Sequence, residues 1–288
     1  MFTYMSGKGE NMTELQRVEL NILKEFIRIC DELQLTYYLV CGSALGAAKY
    51  EGFIPWDDDI DVALPRHDYD IFCEKAQNLL PKHLFLQNYK TDPNYPLYMS
   101  KIRDSRTTFI ETLYRKIDMH HGIYIDVFPL DGYPNDNKEI EIFEKKKILY
   151  ERRRLVRCSY NRFSKKNIRH PKAIVDWILY YFFGCWRDVS NLTEEFQLIT
   201  SLYPCHSSIL WCNHGNWQGK LEYAPKEQYG DGIIMKFEGI DVRVPEKYDE
   251  YLTQKYGDWR ADLPQDKQIG HHYYKVCDVK HPYTHYVK

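Results

Sequence analysis

The stretch FIPWDDDIDVALP, residues 53–65, constrains this chain more than any other. Acids and apolar residues alternate through Asp59, Ile60, Asp61 and Val62. That period of two predicts an extended strand with both carboxylates on one face and Ile60 and Val62 turned into a core. Asp is a poor strand former, and like charges at this spacing repel, raising a pKa unless a cation sits between them. Two readings follow from the segment alone. In one, Asp59 and Asp61 hold a divalent metal. All-oxygen ligation then favours Mg²⁺ or Mn²⁺, which keep positions open for water and phosphate. In the other, the acids form a solvated turn that caps an element.

The flanking segments bear on that choice. Upstream, TYYLVC at 36–41 predicts a strand delivering Gly42-Ser43 to the start of the small-residue helix ALGAAKY. Backbone N–H groups, the helix dipole and a serine hydroxyl can hold a phosphate there, although the same dipeptide also serves as a plain N-cap. Downstream, GIYIDVFPLD sets Asp126 between Ile125 and Val127 in a hydrophobic strand. A buried acid needs a partner, either a metal or backbone amides. Lys101 and Arg103 alternate along a candidate strand at 97–103, so both are expected to face the site and neutralise a diphosphate. Together these segments have the layout of a two-metal phosphoryl-transfer site, in which Asp126 also takes the acceptor proton.

The rest of the chain predicts a mixed α/β (α+β) fold in three zones. In residues 1–135, Thr13 and Gln16 make a capping box ahead of a helix whose apolar positions run from Leu15 to Leu33, and helices then alternate with strands. Residues 136–205 read as helices without strands. Residues 206–288 form a C-terminal α+β segment, with strands in IIMKFEGIDVRV and a helix at 245–256. A length of 288 residues allows one large domain or two modest ones.

Charge and cysteine usage limit the function classes. Lys and Arg number 39 against 41 Asp and Glu, so no global basic field advertises nucleic acid, and none is expected as a partner. Eight scattered cysteines without a CxxC pair suggest a reduced, cytoplasmic protein. Neither a signal peptide nor a spanning helix is expected. One local imbalance stands out: residues 145–169 carry eleven Lys and Arg against one Glu, followed by the aromatic run WILYYFFGCW at 177–186. Residues 145–186 therefore suit either a peripheral contact with an anionic inner-membrane face or a solvated basic helix on an ordinary subdomain.

The residues also carry a resemblance. GSALGAAKYEGFIPWDDDIDVALPRHDYDIF, continued by KIRDSRTTFIE and GIYIDVFPLDGYP, is similar to the LicD family of the nucleotidyltransferase superfamily, which includes the fukutin-related proteins. A fainter likeness returns at VPEKYDEYLTQKYGDW and Pro264. The resemblance implies a nucleotidyltransferase-like core with a helical insertion, the C-terminal segment completing the site. It implies a metal-dependent enzyme that transfers a phospho-alcohol such as phosphocholine from a CDP-linked donor to a cell-surface or lipid-linked glycan. The family's metal-binding carboxylates fall on Asp59 and Asp61, its third acid on Asp126 and its Gly-Ser element on Gly42 and Ser43. Where the family commonly has Arg-His-Lys, this chain has Lys49-Tyr50-Glu51, so Lys49 keeps the phosphate-binding charge but not the bidentate fork. The alternatives are a nucleotidyltransferase releasing pyrophosphate and a catalytically silent glycan-binding module.

Lesser signals complete the reading. Asp57 is expected to be a turn residue and Trp56 to pack. Asp58 suits a turn or a supporting place beside the metal. Cys205, His206, Cys212 and His214 have spacings that match no common zinc finger. His271 and His272, in a terminal loop, are within the range of groups that could reach a donor or acceptor.

Overall fold

The computed structural model describes residues 12–158, 175, 187–214, 219–270 and 272–287. Helix α1 (Glu14–Leu33) begins at the expected capping box, in which the Gln16 amide N–H donates to the Thr13 hydroxyl and the Thr13 amide N–H to the Gln16 side chain. Its stripe of Leu20, Ile22, Leu23, Phe26 and Ile29 is fully buried, and Phe26 packs edge-on to Tyr37 and against Phe72. Each such side chain contributes roughly 1.5–3 kcal/mol by leaving water.

Strand β1 (Tyr38–Leu39) leads directly into helix α2 (Cys41–Tyr50). Gly42 and Ser43 thus lie inside the first helical turn, and Cys41 takes the left-handed φ of 52° that swings the chain from strand to helix. Strand β2 (Asp61–Pro65) follows, and Pro65 both ends the strand and caps α3 (Arg66–Leu79). Strands β3 (Leu84–Gln87), β4 (Ser100–Asp104), β5 (Thr108–Glu111) and the long β6 (Ile123–Gly132) complete the first part of the chain. β3 was not foreseen, because a four-residue apolar run carries little periodicity.

The central sheet runs β1-β2-β6-β4-β3, with β2 and β6 parallel and the other pairs antiparallel. Val62, Leu64, Ile125, Val127 and Ile102 fill the core that α1 and α3 cover. Because strand side chains alternate, Asp61, Asp126 and Lys101 project from the opposite face.

The expected helical zone contains α4 (Asn137–Cys158), packed along α5 (Val189–Thr200). Ile148 and Leu149 on α4 are exposed, while the aromatic run and the basic segment beyond α4 lie outside the described residues. No described helix is long and apolar enough to cross a membrane.

The C-terminal segment is built into the first part rather than appended to it. Strand β7 (Leu210–Cys212) pairs with the end of β6, and β8 (Tyr223–Pro225) pairs with β7. The hairpin β9 (Ile233–Phe237) and β10 (Ile240–Val244) places Phe237, Val242 and Val244 in the same core as α1. Helix α6 (Tyr248–Tyr256) packs Tyr251 and Leu252 against Tyr229, Trp211 and Phe128, and β11 (Tyr274–Asp278) pairs with β5.

Candidate active site

Strand register assembles the site. Parallel pairing sets Asp61 beside Asp126, and antiparallel pairing sets Lys101 on the other side of Asp126, so the three form one row across β2, β6 and β4. The Lys101 ammonium lies 2.7 Å from Asp126 Oδ1 and 3.2 Å above the centre of the Tyr124 ring, almost fully buried. Beside the partners foreseen for a buried Asp126, the chain brings a lysine that ion-pairs with it. The Asp61 amide donates to the Ser43 hydroxyl at 2.8 Å, and the Asp126 amide donates to the Ile60 carbonyl at 2.8 Å. α2 and the residue ahead of β2 thus hold the two acid-bearing strands at fixed height.

Ligand oxygens of Asp59, Asp61 and Asp126 lie within 4.8 Å of one another. Burial first, and then the charges of Asp59 and Asp126, push the Asp61 carboxyl far above the ordinary carboxylate range. Asp59 is raised chiefly by burial as well, with His272 opposing the shift. Three converging carboxyls short of counter-charge fit a divalent cation, and the all-oxygen donor set suits Mg²⁺ or Mn²⁺.

The remaining expected site residues divide. Gly42 lies against the acidic segment: a Cβ there would come within 2.8 Å of an Asp57 carboxylate oxygen, so the glycine makes room for that acid. Ser43 is buried, and its hydroxyl oxygen is engaged by the Asp61 amide. Arg103 does not face outward. Its guanidinium donates to Gln87 and, at 2.7 Å, to the Gly122 carbonyl, and it lies 3.8 Å from Glu111 and against Tyr124. It braces the sheet around Lys101. Lys49 is also drawn elsewhere, donating to the Arg260 and Ala261 carbonyls at 2.9 and 2.8 Å and pairing with Asp262 at 3.0 Å. It ties α2 to the loop after α6.

Among the lesser signals, Trp56 packs edge-on to Tyr50. Asp57 is no free turn residue: burial, with Asp59 and Asp58 adding to it, lifts its carboxyl to about 8. The cysteine–histidine spacing makes no metal cluster among the described residues. Cys205 donates to the Leu130 carbonyl, and Cys212 Sγ lies 3.2 Å from His214 Nδ1. His271 lies outside the described residues, but His272 reaches the site. Its Nδ1 lies 3.1 Å from Asp58 Oδ1 and 3.8 Å from Asp59 Oδ2. Burial alone would lower this imidazole, but the Asp58 hydrogen bond and the Asp59 charge together hold it up at about 10.

Comparison with known proteins follows this geometry. Residues 34–173 match the LicD/FKTN/FKRP nucleotidyltransferase domain, a span that holds the row of Asp61, Asp126 and Lys101. Over 272 residues the chain is 33% identical to the lipopolysaccharide cholinephosphotransferase LicD of Haemophilus influenzae, covering 92% of this chain and 97% of that relative. The chain belongs to the LicD family.

Two participants in this LicD-family site lie outside the matched domain. His272 follows the faint terminal likeness, and Glu19 sits on α1. Glu19 is 2% exposed, and its Oε2 has no hydrogen-bond partner. Burial, then Asp59, Asp58 and Asp57, raise its carboxyl well above the ordinary range. The signal for it was present in the sequence, an acid four residues after Leu15 and three before Ile22, inside an apolar stripe.

A stability prediction arises here. Below about pH 4 Glu19 is protonated in both folded and unfolded chains. Above that, the unfolded chain ionises more readily than the buried carboxyl, whose pKa burial raises, so Glu19 costs the fold stability as pH rises. Glu19→Gln is therefore expected to raise the Tm of the metal-free protein at pH 7, with the gain vanishing towards pH 4. Thermal melts across that range check it, and an equal Tm difference at both ends would contradict the assignment.

Proposed function

We propose that the protein is a metal-dependent phosphotransferase that moves a phosphocholine-type phospho-alcohol from a CDP-linked donor to a hydroxyl of a cell-surface glycan. The convergence of Asp59, Asp61 and Asp126 within 4.8 Å on the face of a LicD-family sheet carries this reading. The Haemophilus influenzae relative, by its name a lipopolysaccharide cholinephosphotransferase, supports the choice of group and acceptor.

Asp59, Asp61 and Asp126 would hold the divalent ion, Mg²⁺ or Mn²⁺. Bound there, it would neutralise the donor diphosphate and stabilise charge on the leaving phosphate. The protein's own groups do the rest. The strand pair β2 and β6 fixes the acids in advance, so little reorganisation is needed at the moment of reaction. Lys101, buried beside Asp126, holds that carboxylate in place through the ion pair, and Asp126 accepts the proton of the attacking hydroxyl. The acceptor oxygen forms a bond to the phosphorus that carries the alcohol as the bridging bond to CMP breaks. Ser43 acts through the Asp61 backbone rather than on the donor, Gly42 admits Asp57, and Arg103 and Lys49 act through the protein frame.

Incubation with Mg²⁺, CDP-choline and a lipopolysaccharide acceptor tests the reading. CMP release coupled to labelled acceptor is the expected result. Pyrophosphate from a nucleoside triphosphate would instead identify a nucleotidyltransferase, and glycan binding without turnover would identify a silent module.

A lipid-linked acceptor would also give the basic residues of α4 a use at an anionic inner-leaflet surface, each contributing about 1 kcal/mol within a Debye length. The protein is then expected to float with anionic but not neutral vesicles at low salt. High salt, or Arg152→Glu, Arg153→Glu and Arg154→Glu together, should release it. Absence of binding to anionic vesicles would leave that helix as a solvated basic face.

A further inference from the structure

We propose that Tyr251, on α6 in the C-terminal segment, is a positioning residue for the cation-binding acids: its hydroxyl holds the corner at Cys41 from which the backbone of Asp61 is fixed. This rests on reading Asp59, Asp61 and Asp126 as a cation site. It gives α6 a part in that site without any contact to the reacting atoms.

Both backbone groups of Asp61 are held from one short stretch. The Val40 amide donates to the Asp61 carbonyl at 3.1 Å, and the Asp61 amide donates to the Ser43 hydroxyl at 2.8 Å. Cys41 lies between those two contacts, where β1 turns into α2, and its φ of 52° sets how residues 40 and 43 stand relative to each other. That left-handed conformation is costly for a residue with a Cβ, and it persists only where the surrounding structure enforces it. Glycine, which adopts it freely, stands one place later, at Gly42.

The enforcing contact comes from 210 positions away. The Cys41 amide donates to the Tyr251 hydroxyl at 3.1 Å, and the bond is buried. The first amides of a helix find no carbonyl within it, so the tyrosine satisfies a donor that α2 itself cannot. Tyr251 is in turn held still. It is 4% exposed, and its ring centre lies 5.7 Å from that of Tyr229. The Lys255 ammonium, paired with Glu222 at 2.7 Å, sits 5.7 Å from the same ring and adds a cation–π contact. A hydroxyl so braced is a fixed point against which the corner is set, and through Val40 and Ser43 the corner sets Asp61.

The test uses the full-length protein and Mn²⁺ alone. Tyr251→Phe removes the hydroxyl and keeps the ring. It should weaken Mn²⁺ binding, followed by the electron paramagnetic resonance signal of the free ion, by roughly 10-fold, the ratio that one buried hydrogen bond supplies. Adding Cys41→Gly to Tyr251→Phe should restore most of the affinity, because glycine takes a positive φ without the clamp. Adding Cys41→Ala instead removes the same thiol but keeps the Cβ, and it should restore none. A hydrogen bond that only stabilises the fold would lower the Tm of metal-free Tyr251→Phe and leave its Mn²⁺ affinity unmoved, a result that overturns the proposal. Equal recovery by glycine and alanine, or none by glycine, overturns it too. If Tyr251→Phe alone does not fold, the two double variants still decide, and a glycine variant no better than the alanine one counts against the corner. Unaltered protein that binds no Mn²⁺ overturns the cation reading itself.

Discussion

Asp59→Asn and Asp61→Asn are each expected to lower transfer by roughly 10³-fold or more, the rate equivalent of the several kcal/mol of charge stabilisation that a bound metal supplies. The fold should survive. Asp61 is almost fully buried, and its carboxyl is driven up by burial together with Asp59 and Asp126, so an uncharged isostere removes repulsion rather than a stabilising pair. The substituted side-chain amide would occupy the same space, and the backbone bond from position 61 to Ser43 does not involve the side chain. CMP release and a thermal melt of the same preparation check both halves. Activity near that of the unaltered protein in either variant would remove these residues from the metal site, and EDTA should reproduce the loss, with excess Mg²⁺ or Mn²⁺ restoring turnover.

Asp126→Asn should behave differently although it removes the same kind of ligand. Its carboxylate is the anion of a buried pair with Lys101, whose side chain is 2% exposed. Removing one partner leaves an uncompensated buried ammonium, which costs about 3–5 kcal/mol of stability. The Tyr124 ring beneath the ammonium recovers part of this through its π face. Loss of the base should slow the chemical step by roughly 10²–10⁴-fold, while donor binding falls much less, because the proton moves only in the transition state. Donor affinity, single-turnover rate and denaturant unfolding of Asp126→Asn separate these effects. The double variant Lys101→Met with Asp126→Asn should regain stability without regaining rate. A single variant as stable as the unaltered protein would show that Lys101 has another anion within reach, and normal single-turnover chemistry would remove Asp126 from the base role.

Much of the architecture was legible because it is local. The capping box of Thr13 and Gln16, the stripe of α1, the hairpin in IIMKFEGIDVRV and the helix ending at Tyr256 each depend on residues within a few positions of one another. β7, β8 and β11 escaped notice for the opposite reason. LWC, YAP and YKVCD carry no alternation long enough to read, and they become strands because β6 and β5 offer open edges.

The same division runs through the site. That Asp61 turns away from Ile60 and Val62 in the core follows from the two-residue period of a strand; Asp59, expected in the same strand, lies just ahead of β2 and still converges with Asp61. Likewise, Asp126 between Ile125 and Val127 marks a buried acid from its neighbours alone. Alternation also put Lys101 and Arg103 on one face, but it could not say what each would meet there. Register across β4 and β6 set Lys101 opposite Asp126 and Arg103 opposite Tyr124, so one cation joined the acids and the other was absorbed by Gln87 and Gly122. Folding of the terminal loop diverted Lys49 to the carbonyls of Arg260 and Ala261, and it brought His272 to Asp58 across 214 positions. Side-chain direction is a property of the local backbone and is written in the sequence. The choice of partner depends on which distant segments come to lie side by side, and only the tertiary structure decides that.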